Sequence, residues 1–214
     1  YTSDVSSAAS DVYKRQVKQY PQLSHYLLSG SFDTEKRTSS VNLLKGRGKR
    51  VTAEITIPRD VMISNLRISP PQMHYGQGIS TLAALLTNSS NNAAHPANGL
   101  AALYLATGQD IANIGESNQC TTYNKVTRDG DYYFSITMPA IIMATYGGGT
   151  ALPTQRECLE IMDCFGKDKA HKLAEIAAGL VLAGELSLGA ATRVDKETRK
   201  NEWVDAHERL GRNR

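Results

Sequence analysis

Alternating and helix-period stretches organise this chain. From Arg50 to Ile57 the side chains alternate, with Val51, Ala53, Ile55 and Ile57 on one face and Thr52, Glu54 and Thr56 on the other. That period of two predicts a half-buried strand, stopped by Pro58. Tyr132 to Met138 predicts a second strand. Asp60 to Arg67 reads as a short helix before the break at Pro70–Pro71, and Gly78 to Leu86 is apolar and helix-like. The run T-N-S-S-N-N, Thr87 to Asn92, predicts a turn. His95 to Asp110 is a long apolar helical pattern that is expected to run on to Glu116. Gly147–Gly148–Gly149 predicts a flexible loop, and the capping-box spacing of Thr154 and Glu157 sets the next helix start near Gln155. Asp168 to Ala191 is a long helical pattern with Leu173, Ile176, Ala177, Leu180 and Val181 among its apolar positions. Tyr20 to Gly30 is short and mixed, Ser31 to Ser40 is polar, and Thr192 to Arg214 is strongly charged. Strands and helices without regular alternation, and without internal repeats, predict an α+β fold.

Composition narrows this little. The 214 residues suffice for one good-sized domain, or a domain plus a fragment. A hydrophobic content of 41%, a charged content of 21% and a net charge of +3 are ordinary for a globular chain and do not argue for nucleic acid. The apolar run around Ile176 to Ala183 is too short to span a bilayer, and no signal peptide is recognised. Cys120, Cys158 and Cys164 are odd in number and lack metal-ligand spacing. Buried thiols, no metal and a reducing cytoplasm are the expectation. Residues 1–16, rich in Ser, Ala and Asp, carry no apolar period. They resemble a string that recurs as translated sequencing adaptor and are set apart as a non-native leader, the alternative being a natural disordered tail.

Four places carry candidate chemistry. In T-E-K-R, Thr34 to Arg37, two cations beside an acid suit an anion or an oxyanion, although a solvated turn has the same composition. Asn98 and Asp110 bracket the apolar helix, about three and a third turns apart and so on neighbouring faces; a helix cap and a satisfied polar core residue are the plain alternative. A carboxylate there is costly to bury without a partner. T-Y-G-G-G-T, Thr145 to Thr150, lets a ligand approach the backbone closely, or is merely a flexible turn. His207, in a charged tail, is either a proton donor or a surface residue.

Taken in order, S-G-S-F-D-T-E-K-R, G-R-G-K-R-V-T-A-E-I-T-I-P, H-P-A-N…A-T-G-Q-D-I-A-N, T-Y-G-G-G-T-A-L-P-T-Q and L-A-G-E-L-S-L resemble the catalytic half of 3-hydroxy-3-methylglutaryl-coenzyme A (HMG-CoA) reductase, class I, in an archaeal-like form. The likeness runs from about Tyr20 to Arg214. It implies a large substrate-binding domain around a long central helix, with a remnant of a small ferredoxin-like cofactor domain. Residues 17–30 would end the small domain, 31–40 form the connecting catalytic loop, 41–191 the large domain and 192–214 a C-terminal flap bearing His207.

The resemblance also implies roles. Lys36 would stabilise the thioester oxygen, Asp110 would network with that lysine and a glutamate, and His207 would protonate the departing CoA thiolate. Asn98 would contact substrate and lysine, while Ser29, Glu35 and Arg37 would line the substrate pocket. Gly147, Gly148, Gly149 and Thr150 would contact the nicotinamide cofactor, NADPH, with Arg214 near its phosphate. HMG-CoA would be reduced to mevalonate and free CoA by two hydride transfers, in a cytoplasmic homodimer or larger oligomer, with no nucleic acid and no membrane segment in this chain.

Some positions depart from the pattern. The family's catalytic glutamate and most of its cofactor domain are expected upstream, so the chain is expected to be inactive alone. Gly78 stands where class I enzymes carry a lysine that grips the substrate carboxylate, Arg37 replaces another lysine, and 76–92 lacks the usual glycine-rich run. The chain between Ala191 and His207 is longer than in many relatives, and Arg214 lies one residue further from His207. Either the substrate's acid end is held differently or a paralogue acts on another acyl-CoA. A non-catalytic module that binds nucleic acid through Lys45 to Arg50 is the remaining alternative.

Overall fold

The computed structural model describes residues 12, 14–22 and 34–193. Helix α1 (Ser40–Lys45) leads into strand β1 (Lys49–Ile57). A helical turn, Arg59–Val61, runs on as a π-helical turn, Met62–Leu66. Helices α2 (Pro70–Leu86) and α3 (Pro96–Thr107) follow, then a 3-10 turn, Ile111–Asn113, and α4 (Ile114–Ser117). Strands β2 (Thr121–Val126) and β3 (Tyr132–Ile141) form a hairpin, and a 3-10 turn, Gly148–Ala151, precedes α5 (Pro153–Ile161) and α6 (Ala170–Ala191). Helices and strands are segregated, as the α+β reading expects.

The sheet is antiparallel with β3 in the middle, in the order β1-β3-β2. Along β3, Tyr132, Phe134, Ile136 and Met138 are buried, while the residues between them are half-buried. The buried face receives α6, which contributes Leu173, Ala177, Ala178, Val181 and Leu186 to one core with Leu100 and Tyr104 of α3. α6 has the length and apolarity of a membrane-crossing helix. Here it is a core helix, packed on β1, β3 and α3, and a buried carboxylate, Glu185, sits on that inner face. β1 alternates as its sequence predicts, except that Ile55 is 41% exposed.

Several boundaries differ from the sequence reading, each for a local reason. α2 starts at Pro70, eight residues before Gly78, because proline lacks only an N–H that the first helical turn leaves unpaired anyway. α3 does not reach Glu116: Gly108 adopts a left-handed conformation (φ 68°) and ends it. α5 opens on Pro153, and no side chain caps it, so the Thr154–Glu157 spacing is not a capping box. β3 runs past Met138 to Ile141. A register shift between Lys49 and Val51 lies opposite this extension, which contains Pro139. β2 was not recognised because T-T-Y-N-K-V is short and polar; its alternation shows only through pairing with β3.

A long-range cap fixes the start of α3. The Glu185 carboxylate accepts hydrogen bonds from the backbone N–H groups of Ala94 (3.0 Å) and His95 (2.8 Å), placing negative charge at the helix N-terminus. The His95 ring is wedged between helices: a Cβ on Gly99 or Gly184 would approach it to 2.6 Å or 2.1 Å. The outer side of α2 exposes Tyr75, Ile79, Leu82, Leu85 and Leu86.

Thiol labelling checks the packing. Cys120 is fully buried, and burial pushes its thiol up to about 12; Cys164 is also buried, with its thiol raised by desolvation. Iodoacetamide under native, mildly alkaline conditions should alkylate the half-buried Cys158 first and reach the other two only on unfolding, as read by peptide mass spectrometry. Fast native labelling of Cys120 would contradict this packing.

Candidate active site

Where α3 ends, the backbone makes a close junction. A Cβ on Gly108 would lie 2.3 Å from the Gly149 carbonyl oxygen, and one on Gly149 would lie 2.6 Å from that of Gly108. Only glycine permits this contact. The Gln109 amide then pairs with the backbone of Ala144 in both directions, donating to its carbonyl (2.8 Å) and accepting from its N–H (2.8 Å). The glycine loop and the segment after α3 therefore form one unit. Asp110 follows immediately, extended, and its carboxylate accepts from the Ala112 N–H (3.0 Å) to cap the 3-10 turn.

Lys36 meets Asp110 from a loop far away in sequence. Its Nζ lies 3.0 Å from Asp110 Oδ2, with the two side chains 42% and 28% exposed. A pair this exposed adds only about 0–1 kcal/mol to stability, so it contributes little to holding the fold and leaves the ammonium accessible. The Asp110 hydrogen bond raises the Lys36 pKa above 10.5, against a smaller opposing effect of desolvation, and Glu35 adds to the rise. The lysine stays charged throughout the neutral range.

The Lys36 loop is tied down on two sides. Asn42 of α1 donates to the carbonyls of Thr34 (3.3 Å) and Arg37 (3.0 Å), and its own oxygen accepts from the Thr34 hydroxyl (2.7 Å). The Thr38 hydroxyl donates to the Gly115 carbonyl (2.7 Å). Glu116, wholly buried, accepts from Arg47 Nη1 (2.6 Å) and from the Lys36 backbone N–H (3.2 Å). Arg47 also approaches Glu35 at 3.8 Å. Removing Arg47 would leave the buried Glu116 carboxylate without its cation, which is destabilising, though by less than for a fully buried pair because the arginine is 32% exposed.

These parts border a cleft of about 980 Å³ lined by Glu35, Arg47, Lys49, Asp110, the 144–150 loop, Lys167 and His171. Lys49 donates to the Met143 carbonyl (3.1 Å), and burial lowers its pKa. Glycine backbone, several cations and an adjoining acid–lysine pair suit an anionic ligand, or a group on which negative charge develops.

Comparison with known proteins agrees. A sequence profile described as hydroxymethylglutaryl-coenzyme A reductase matches residues 4–212. The chain belongs to this family. The 3-hydroxy-3-methylglutaryl-coenzyme A reductase of Pyrococcus horikoshii is 40% identical over 216 residues, covering 97% of this chain and 50% of its own length. That of Methanothermobacter thermautotrophicus is 41% identical over 186 residues (86% of this chain, 45% of its own). That of Aeropyrum pernix is 41% identical over 193 residues (86% and 44%). The chain thus spans about half the length of these curated relatives.

Of the residues marked by the resemblance to HMG-CoA reductase, the structure gathers Glu35, Asp110, Gly147, Gly148, Gly149 and Thr150 in the lining of one cleft, and Lys36 joins them through its ion pair with Asp110 without lining the cleft itself. Arg37 is exposed beside it and meets α1 through its carbonyl. Asn98 is not gathered: it is exposed near the start of α3, about 13 Å along the axis from Thr107 at 1.5 Å per residue, and does not line the cleft. Gly78 is exposed on α2 with open space around it. Ser29, His207 and Arg214 lie outside the described residues. Sequence reasoning missed Glu116 and the inward roles of Arg47 and Lys49. Their G-R-G-K-R run was weighed as a nucleic-acid patch, yet Arg47 pairs with Glu116 and Lys49 with a backbone carbonyl. The one available signal was its placement just ahead of a strand.

Two measurements check this geometry. Gly108→Ala should lower stability by roughly 2–4 kcal/mol in denaturant titration, from left-handed strain plus backbone overlap. For Lys36, a pKa raised on folding means that the pair's contribution is complete below 10.5 and disappears as pH rises through the higher folded value. An NMR titration should find Lys36 above 10.5 and Asp110→Asn should bring it down; no change on that substitution would contradict the pairing.

Proposed function

We propose that the protein containing this chain reduces HMG-CoA to mevalonate and free CoA, using NADPH, in the cytoplasm. The carrying observation is the Lys36–Asp110 pair at 3.0 Å beside the glycine loop, in a chain of the HMG-CoA reductase family. NADPH, when bound, supplies the two hydrides. The 147–150 backbone and the cleft volume fit its nicotinamide end, and a preorganised cleft of this size suits a ligand of that class.

The chain's own residues do the rest. The Lys36 ammonium faces the thioester oxygen and stabilises the tetrahedral oxyanion as charge develops there. Asp110 keeps that lysine protonated and aimed. Glu35, held by Arg47, lines the substrate side. His207 protonates the leaving thiolate, since an expelled thiolate would otherwise add back to the aldehyde. The aldehyde's reduction then needs a proton at the same oxygen, which the Lys36–Asp110 network and a family glutamate from the remainder of the protein deliver. The exposed apolar side of α2 supports assembly as a homodimer or larger oligomer.

Substrate-dependent NADPH oxidation by the full-length protein tests the reading, with HMG-CoA compared against unbranched acyl-CoAs. HMG-CoA should be preferred, and Lys36→Met should lower kcat by at least about a hundredfold, the scale of a lost oxyanion donor. No HMG-CoA-dependent oxidation by the folded protein would refute it; preference for another acyl-CoA would indicate the paralogue. Leu82→Glu combined with Leu86→Glu should reduce the mass measured by light scattering if α2 carries the subunit contact.

A further inference from the structure

We propose that Glu116 is a positioning residue for Lys36: its buried carboxylate, matched in charge by Arg47, takes the Lys36 backbone N–H and thereby sets where the lysine's ammonium reaches Asp110. This deepens the reading above and rests on it only for the part Lys36 plays in reduction.

Lys36 stands in a left-handed conformation (φ 61°), as does Thr34 (φ 57°), a region that side-chain-bearing residues seldom occupy without help from their surroundings. The help comes from one short segment of chain. Asp110 holds the side-chain end of Lys36, and six residues later Glu116 holds its backbone end. Between them, Gly115 lies so close that a Cβ there would sit 2.5 Å from the Lys36 carbonyl oxygen. Thr38 binds the Gly115 carbonyl and Gln119 the Ser39 carbonyl (2.9 Å), so residues 36–39 lie along 115–119.

Glu116 occupies the centre of this contact with no exposure to water. Its Oε1 takes both the Lys36 N–H and the Arg47 guanidinium, while Oε2 is buried with no hydrogen-bond partner among the described residues. Two donors therefore converge on a single oxygen at a fixed place, one for each of its lone pairs. A buried carboxylate is costly without such a cation, and Arg47 arrives from the turn that precedes β1, anchored in turn by the sheet. The route from sheet to reactive lysine runs through Arg47, Glu116 and the Lys36 amide. Arg47 approaches Glu35 as well, at 3.8 Å, so the same guanidinium lies beside the residue that precedes Lys36 in the turn.

The test compares Glu116→Met, which keeps the shape and removes the acceptor, with Glu116→Gln, which keeps an oxygen at the Oε1 position. Both are read in the full-length protein by kcat, KM, thermal midpoint and hydrogen exchange at the Lys36 amide. Glu116→Met should lower kcat about tenfold, the equivalent of one lost hydrogen bond, leave KM within about twofold and expose the amide. Glu116→Gln should retain the protected amide and most of kcat. A folded Glu116→Met with unchanged kcat and amide protection would overturn the proposal, as would equal losses in both variants. If Glu116→Met does not fold, Gly115→Ala decides: it leaves Glu116 in place but displaces the Lys36 carbonyl, and an unchanged kcat with an unchanged amide would overturn the proposal. The exchange measurement needs no substrate, so it reports on Glu116 even if the protein proves not to reduce HMG-CoA.

Discussion

The approach of Gly108 to Gly149, backbone against backbone, is the constraint from which the site follows. It ends α3 by a left-handed residue and leaves no room for a side chain on either strand of the contact. Everything chemical is placed relative to it. Gln109 fastens the junction to Ala144, the glycine loop becomes one wall of the cleft, and Asp110 joins its lining with the side chain 28% exposed. A continuous helix to Glu116 would have turned Asp110 onto a helix face and left the loop without its neighbour. The other end of α3 is fixed just as firmly by Glu185, which caps it from α6. The helix is thus a strut held at both ends, with its chemistry carried just past one of them.

The charges divide into two kinds. Glu116 is deep, its carboxylate wholly removed from water, and with the half-buried Arg47 it holds the loop. Lys36 and Asp110 are both partly exposed and contribute little to stability. In the proposed reaction, separating the anchoring contact from the reacting pair lets the second stay solvated enough to exchange protons while the first fixes its position. A lysine that must stabilise an oxyanion needs both conditions: a full charge, which Asp110 secures, and a stationary backbone, which the 115–119 segment supplies.

Much of this was legible in the sequence. Strong periods gave β1 and α6 nearly to the residue, and the order of the motifs gave the family and the Lys36–Asp110 partnership. What escaped reading depended on contacts between distant segments. The end of α3 needed the knowledge that Gly108 meets another glycine, which no local pattern encodes. β2 is polar because one of its faces is solvated, and only its partner makes it a strand. Glu116 looked like the tail of a helix, and Arg47 like part of a basic patch, until folding brought them together across 69 positions of chain. Asn98 shows the reverse limit: a motif match marked it, yet in this chain the exposed start of α3 carries it away from the cleft.

The central claim is that Lys36 and Asp110 act as one unit on the developing oxyanion. A double-mutant cycle on kcat, with Lys36→Met, Asp110→Asn and both together in the full-length protein, measures this directly. Residues acting as a unit give strongly non-additive losses, so the double variant should be no slower than the worse single one. If the two losses multiplied, the residues would be acting independently, and the pairing at 3.0 Å would not be the basis of the chemistry.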